Sequence, residues 1–132
     1  MANYNYTLAR QTYRTLLEAV EVNKWKCGQD DGKMEIDYGV HGDFLHMKFI
    51  VSVDAERQLV SLKCVLPDKF PKEKTSVGAM VTCAANYALS DGHFEFNIDD
   101  GSVCFKMTEN FRGSILSREA LKYLLNYSVW AI

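Results

Sequence analysis

His93 and Glu95 stand two residues apart, so in a strand both point to one face, a spacing that zinc sites use. Two ligands do not fill a tetrahedral set, and no metal is expected there. His46 has an acidic counterpart in Asp37, which reads as a solvated surface pair. Cys27 follows Lys24 and Lys26, cations that lower a thiol pKa, but no histidine is fixed beside it, so a nucleophilic role is not expected. Lys24-Trp25-Lys26 sets one aromatic between two cations, well short of a base-stacking platform. Trp25 is therefore read as a structural residue capping the first helix. The run Asn97-Ile98-Asp99-Asp100-Gly101 suggests a calcium loop, but the pattern counted back from Gly101 needs an aspartate where Phe96 stands. No nucleophile elbow, phosphate-cradling glycine loop or paired-histidine zinc helix occurs. The inventory predicts no catalytic centre, no cofactor and no metal.

Composition narrows the partners. The chain has 132 residues, a length that favours one domain spanning 1–132 with one core. Apolar residues make up 48% and charged residues 24%, which excludes disorder, collagen and coiled coil. Fifteen basic against seventeen acidic residues, with no basic block, leave neither the electrostatic footprint of a nucleic-acid binder nor a polybasic membrane contact. The apolar runs are far shorter than a membrane span, and the first residues lack the features of a signal peptide. A cytoplasmic protein with reduced cysteines is expected. Cys64, Cys83 and Cys104 fall within regular elements and read as core or near-core residues.

The elements that must position these residues follow from hydrophobic period. Ala9, Tyr13, Leu16, Leu17 and Val20 recur at helical spacing, predicting a helix over 6–22, and Gly28 to Gly32 supply a loop. From Lys33 to Val40 the period is two, with Met34, Ile36, Tyr38 and Val40 on one face. Leu45, Met47, Phe49, Val51 and Val53 mark the next strand. A two-residue loop at His41-Gly42 would pair Tyr38 with Leu45, Ile36 with Met47, Met34 with Phe49, Glu35 with Lys48 and Asp37 with His46. A turn over 54–57 leads to a third strand with Val60, Leu62, Cys64 and Leu66 inward, pairing Val51 with Val60, Phe49 with Leu62 and Lys48 with Lys63. Pro67 and Pro71 are expected to break this strand and launch a helix over 72–89. Its apolar stripe is Val77, Met80, Val81, Ala84, Ala85 and Ala88, and Gly92 supplies the positive φ of its exit. Asp100-Gly101 signals a hairpin pairing Ile98 with Val103, Phe96 with Phe105, Phe94 with Met107 and Glu95 with Lys106. Ser117 caps a last helix carrying Leu121, Leu124, Leu125 and Val129, with Leu116 and Leu121 as its hydrophobic staple. The order α-β-β-β-α-β-β-α defines an α+β domain, an antiparallel sheet packed with helices.

The segment from Asn86 to Lys106 resembles the central signature of YbjN-like bacterial proteins: a helix ending near Asn, then G-x-F-E, then D-G-x-V and a strand with an aromatic and a basic residue. Asn86, Gly92, Phe94, Glu95, Asp100, Gly101, Val103 and Lys106 carry the match. The element order is similar to that of the type III secretion chaperone fold, to which the family is related. The resemblance implies a proposed sensory transduction regulator that is not an enzyme, needs no nucleotide and forms homodimers that hold extended protein segments.

A non-enzymatic protein-binding module, chaperone-like or regulatory, is thus the expected function. Phe44, Ile50, Leu59 and Val65 interrupt the polar outer sheet face and form the candidate partner-binding surface, unless a helix covers it. The greasy end of the last helix offers Val129, Trp130 and Ile132 as a dimer contact, unless it folds back on its own sheet. The alternative is a small-molecule sensor or an enzyme with a dispersed site in a pocket between helix and sheet.

Overall fold

The structure, a computed structural model, describes residues 2–42 and 45–132. Phe44, one of the four residues of the candidate partner-binding surface, lies outside them. Helix α1 (Ala2–Val22) leads into strands β1 (Gly28–Asp30), β2 (Glu35–His41), β3 (His46–Asp54) and β4 (Leu59–Lys69). Helix α2 (Thr75–Tyr87), strands β5 (His93–Phe96) and β6 (Ser102–Asn110) and helix α3 (Arg118–Ala131) follow. The strands form one antiparallel sheet in the order β1-β2-β3-β4-β6-β5. The α+β class holds, with one strand more than expected. Residues Gly28–Asp30, read as loop, pair with Asp37, Ile36 and Glu35 as a short exposed edge.

Most inward residues are those that alternation selected, but Ile98, expected to face Val103, lies in the β5–β6 loop and is exposed. Ile36, Tyr38, Phe49, Val51, Val60, Leu62, Cys64 and Phe105 are buried from the sheet side. From above them Ala9, Tyr13, Leu16 and Val20 of α1 and Leu121, Leu124 and Leu125 of α3 close the core. Ser117 Oγ accepts from Ala120 N at 3.1 Å, as the cap required. Trp25 N donates to Val20 O at 3.3 Å at the end of α1, and its ring, expected only to cap that helix, packs beside Tyr38 of β2 at a centroid separation of 5.0 Å.

All three hairpin registers differ from expectation, and each differs by an even number of residues. Tyr38 lies opposite Phe49 rather than Leu45, Ile36 opposite Val51 rather than Met47, and Asp37 opposite Ile50 rather than His46. Val51 faces Leu62 rather than Val60, and Lys48 faces Val65 rather than Lys63. Phe94 faces Phe105 and Phe96 faces Val103. The β2–β3 and β3–β4 connections keep their expected lengths but fall further along the chain, and only the β5–β6 connection is longer. Gly42 N donates to Leu45 O at 2.8 Å across the β2–β3 loop, and Asn97 N to Ser102 O at 2.9 Å across the β5–β6 loop. Doubling a loop's length costs only about 0.6 kcal/mol, so pairing elsewhere decides it. An even slip leaves every side chain on its own face, which is why the core was right while its pairs were not.

Pro67 does not end β4. The strand runs on through it, with its register shifted between Val65 and Lys69, a bulge where a residue without an N–H is tolerated. Pro71 does launch the helical segment, beginning with a 3-10 turn at Lys72–Lys74. The stripe expected to bury α2 turns outward instead: Val77, Met80 and Val81 are exposed, while Gly78 and Thr82 face the sheet. A Cβ on Gly78 would stand 2.6 Å from the Phe96 ring, so the glycine sets how closely α2 approaches β5. Cys83, expected near the core, is exposed on this helix.

Asn86 of α2 grips the sheet's other edge. Its Nδ2 donates to Phe94 O at 3.0 Å and its Oδ1 accepts from Phe94 N at 2.6 Å, so one amide does the work of a missing neighbour strand. Asn86→Ala leaves both part-buried backbone groups without that partner. It is expected to lower stability by about 1–3 kcal/mol, measured by urea unfolding, with faster amide exchange at Phe94.

Candidate functional site

Paired residues project to the same side of a sheet, and here one side carries every helix. α1 and α3 cover the core residues of β2 to β6, and α2 lies on Phe96, whose partner Val103 is buried on that same side. The opposite side is open. Across it one row reads Asp37, Ile50, Lys63, Lys106, His93, and the next reads Gly39, Lys48, Val65, Cys104, Glu95.

Three of the four residues assigned to the partner-binding surface therefore stand where alternation put them. Ile50 is 38% and Val65 49% exposed, Leu59 is half-buried, and none of the described helices lies over them. Around them the sheet forms a trough of about 490 Å³ lined by Ile50, Leu59, Ser61, Thr108, Arg57, Lys63 and Lys106. A second hollow of about 420 Å³ shares Lys63 and Lys106 and adds Glu95, Cys104 and Ile98. The floor is apolar and hydroxyl-bearing, and Arg57, Lys63 and Lys106 line it together with Asp54.

The charged end of this surface is a chain of contacts. Glu95 Oε1 lies 2.8 Å from Lys106 Nζ and Glu95 Oε2 lies 2.8 Å from His93 Nε2. Lys106, then His93, hold the Glu95 carboxyl below the ordinary glutamate range, and Glu95 in turn holds the Lys106 ammonium above its own. The expected Glu95–Lys106 attraction thus forms diagonally rather than between directly paired residues. His93, Glu95 and Lys106 form one chain of polar contacts on this face. Burial, then Glu95, pushes the Cys104 thiol up, and burial, then Asp37, does the same to Cys27. Both effects favour the unreactive thiol.

The last helix answers the question of its greasy end in part. Val129 and Ile132 pack against the chain's own core, while Trp130 stays 76% exposed. Trp130 lies against Tyr127 and Tyr127 against Tyr123, at centroid separations of 5.6 and 5.4 Å. Tyr123 donates to Asp91 Oδ2 at 2.6 Å, which pushes its phenol up to about 12.

The larger apolar surface is the outward stripe of α2, which sequence reasoning identified but turned toward the core. Met80 is 72% and Tyr87 95% exposed, and no residue from Thr75 to Tyr87 is charged. The missing charge was the readable signal.

A domain with all its helices on one face of an antiparallel sheet, and the other face bare, is an open-faced two-layer α+β fold. The solved structure of YbjN from E. coli, a proposed transcription regulator, shares it. That structure matches with a TM-score of 0.64 at 9% identity, covering 91% of this chain and 84% of its own. The likeness extends the resemblance noted in the sequence to the fold, and to the fold alone. No family model matches the chain, and a search of curated proteins finds no match. Among the described residues no helix is long and apolar enough to cross a membrane.

Proposed function

We propose that the chain is a non-enzymatic protein-binding module, chaperone-like or regulatory, that holds an extended partner segment on its open sheet face and acts as a homodimer. The observation that carries the reading is the bare outer face, with Ile50 and Val65 exposed between Lys48, Lys63 and Lys106. The uncharged stripe Val77, Met80, Val81 on α2 supplies the contact for a second copy. That stripe is broader than the tail contact at Val129, Trp130 and Ile132, of which Trp130 alone is largely exposed. A regulatory role also accords with the fold shared with YbjN.

The rival reading needs a pocket between helix and sheet. Leu16, Phe49, Leu62, Phe105, Leu121, Leu124 and Leu125 fill that space at 0% exposure, which favours the binding module over a buried sensor site. Affinity capture from the source cell with the wild-type chain and an Ile50→Asp/Val65→Asp double variant tests the proposal. Both changes fall on exposed positions, so the variant should melt close to wild type. A partner retained by the wild type and lost from the variant is the expected outcome. Equal retention by both chains would move recognition away from this face.

A further inference from the structure

We infer that His41 and His46 form a two-histidine site for a borderline divalent cation of the zinc or copper(II) type. They are the terminal pair of the β2–β3 hairpin, directly opposite one another, with Nδ1 atoms 3.0 Å apart and ring centroids 4.1 Å apart. Imidazole nitrogens bind such cations at about 2.0–2.1 Å, so two nitrogens in neighbouring coordination positions lie about 2.9 Å apart at a right angle and about 3.4 Å apart at the tetrahedral angle. The observed separation falls inside that interval. The strands place the two rings opposite one another; the 3.0 Å separation is that of their hydrogen bond, and both rings must turn for their lone pairs to converge on one cation.

Gly39 favours this arrangement. His46 lies over Gly39, where a Cβ would stand 3.2 Å from its Cε1, so the absent side chain makes room for the ring. Without a cation the two rings share one hydrogen bond, which requires one ring to carry its proton on Nδ1 and the other to offer a lone pair there. Moving that proton to the Nε2 of its own ring frees both lone pairs, and no proton need leave the neutral pair. Both histidines are exposed, so water fills the remaining positions. Lys24 and Lys26 border the hollow beside His41, so the cation binds against their positive charge, and raised salt should strengthen binding by screening it. Two imidazoles select by ligand type: copper(II) should bind tighter than zinc, and magnesium, which prefers oxygen, should not compete. The site is separate from His93, whose Nε2 is taken by Glu95.

Zinc chloride titrated into the full chain at neutral pH, followed by imidazole nitrogen and proton resonances, tests the site. His41 and His46 should shift together and saturate at one zinc per chain, His93 should not move, and a tenfold excess of magnesium over zinc should change nothing. His41→Gln and His46→Gln, both at exposed positions, should each weaken zinc binding by at least about tenfold. Three results would overturn the inference: no shift at millimolar zinc, shifts confined to His93, or undiminished affinity in either variant.

Discussion

Gly101→Ala is expected to remove much of the protein's stability, about 3–5 kcal/mol of a total that for a domain of this size is about 5–15 kcal/mol. Two effects add at this position. Its φ is +77°, a region L side chains enter only with strain, and a Cβ there would stand 2.1 Å from Phe70 O and 3.1 Å from Phe70 C. Both atoms are backbone, so no side chain can swing aside. Gly101 O also accepts from Phe70 N at 2.9 Å, and that bond ties the β5–β6 loop to the segment entering α2. Gly113 supplies the control. Its φ is +75°, but nothing lies within 4 Å of its Cβ position. Gly113→Ala should therefore cost only the backbone term, about 1–2 kcal/mol. Urea unfolding of the two variants side by side separates the clash from the strain, and equal losses would show that the Phe70 contact does not matter.

That glycine also marks where the sequence was legible. Asp100-Gly101 announced a turn, and a turn is there, yet the dipeptide signal implies a two-residue loop and the structure closes it between Asn97 and Ser102. Alternation reports the face of a residue and carries no information about where a loop falls, so Ile36, Phe49, Leu62 and Phe105 were placed inside while each was given the wrong neighbour. Met34 and Gln58 adopt positive φ, 54° and 57°, at the β1–β2 and β3–β4 turns, and neither residue type advertises it. Strand β1 has no apolar residue to alternate, since its three residues are Gly28, Gln29 and Asp30. Helix α2 misled for a different reason. It has two faces of small or apolar residues, and the sheet takes the one with Gly78 and Thr82 because Phe70 and Phe96 leave no room for a Cβ. Hydropathy would choose Val77, Met80 and Val81, but packing chose the smaller residue. The outer surface at Ile50, Leu59 and Val65 was readable from period alone. The histidine pair was hidden because His41 and His46 meet only in the true register.

Met80→Asp is expected to leave the fold intact and abolish self-association. Met80 is 72% exposed and its helix lends the core only Gly78 and Thr82, so the new carboxylate is solvated in the monomer. In a dimer packed along α2 the same carboxylate loses its water without a cation to pair with, since Thr75–Tyr87 contains none. Burying an unpaired charge is costly enough, several kcal/mol, to undo an interface whose gain is about 1.5–3 kcal/mol per large apolar side chain. Unchanged melting together with a halved mass is the expected signature.

The mass of the wild-type chain in solution tests the account most directly. Light scattering at micromolar concentration should give about 30 kDa, twice the 15.0 kDa of one chain, in keeping with a two-fold dimer. A single species of 15.0 kDa, unchanged on tenfold concentration, would contradict the homodimer and leave the uncharged face of α2 without its proposed role.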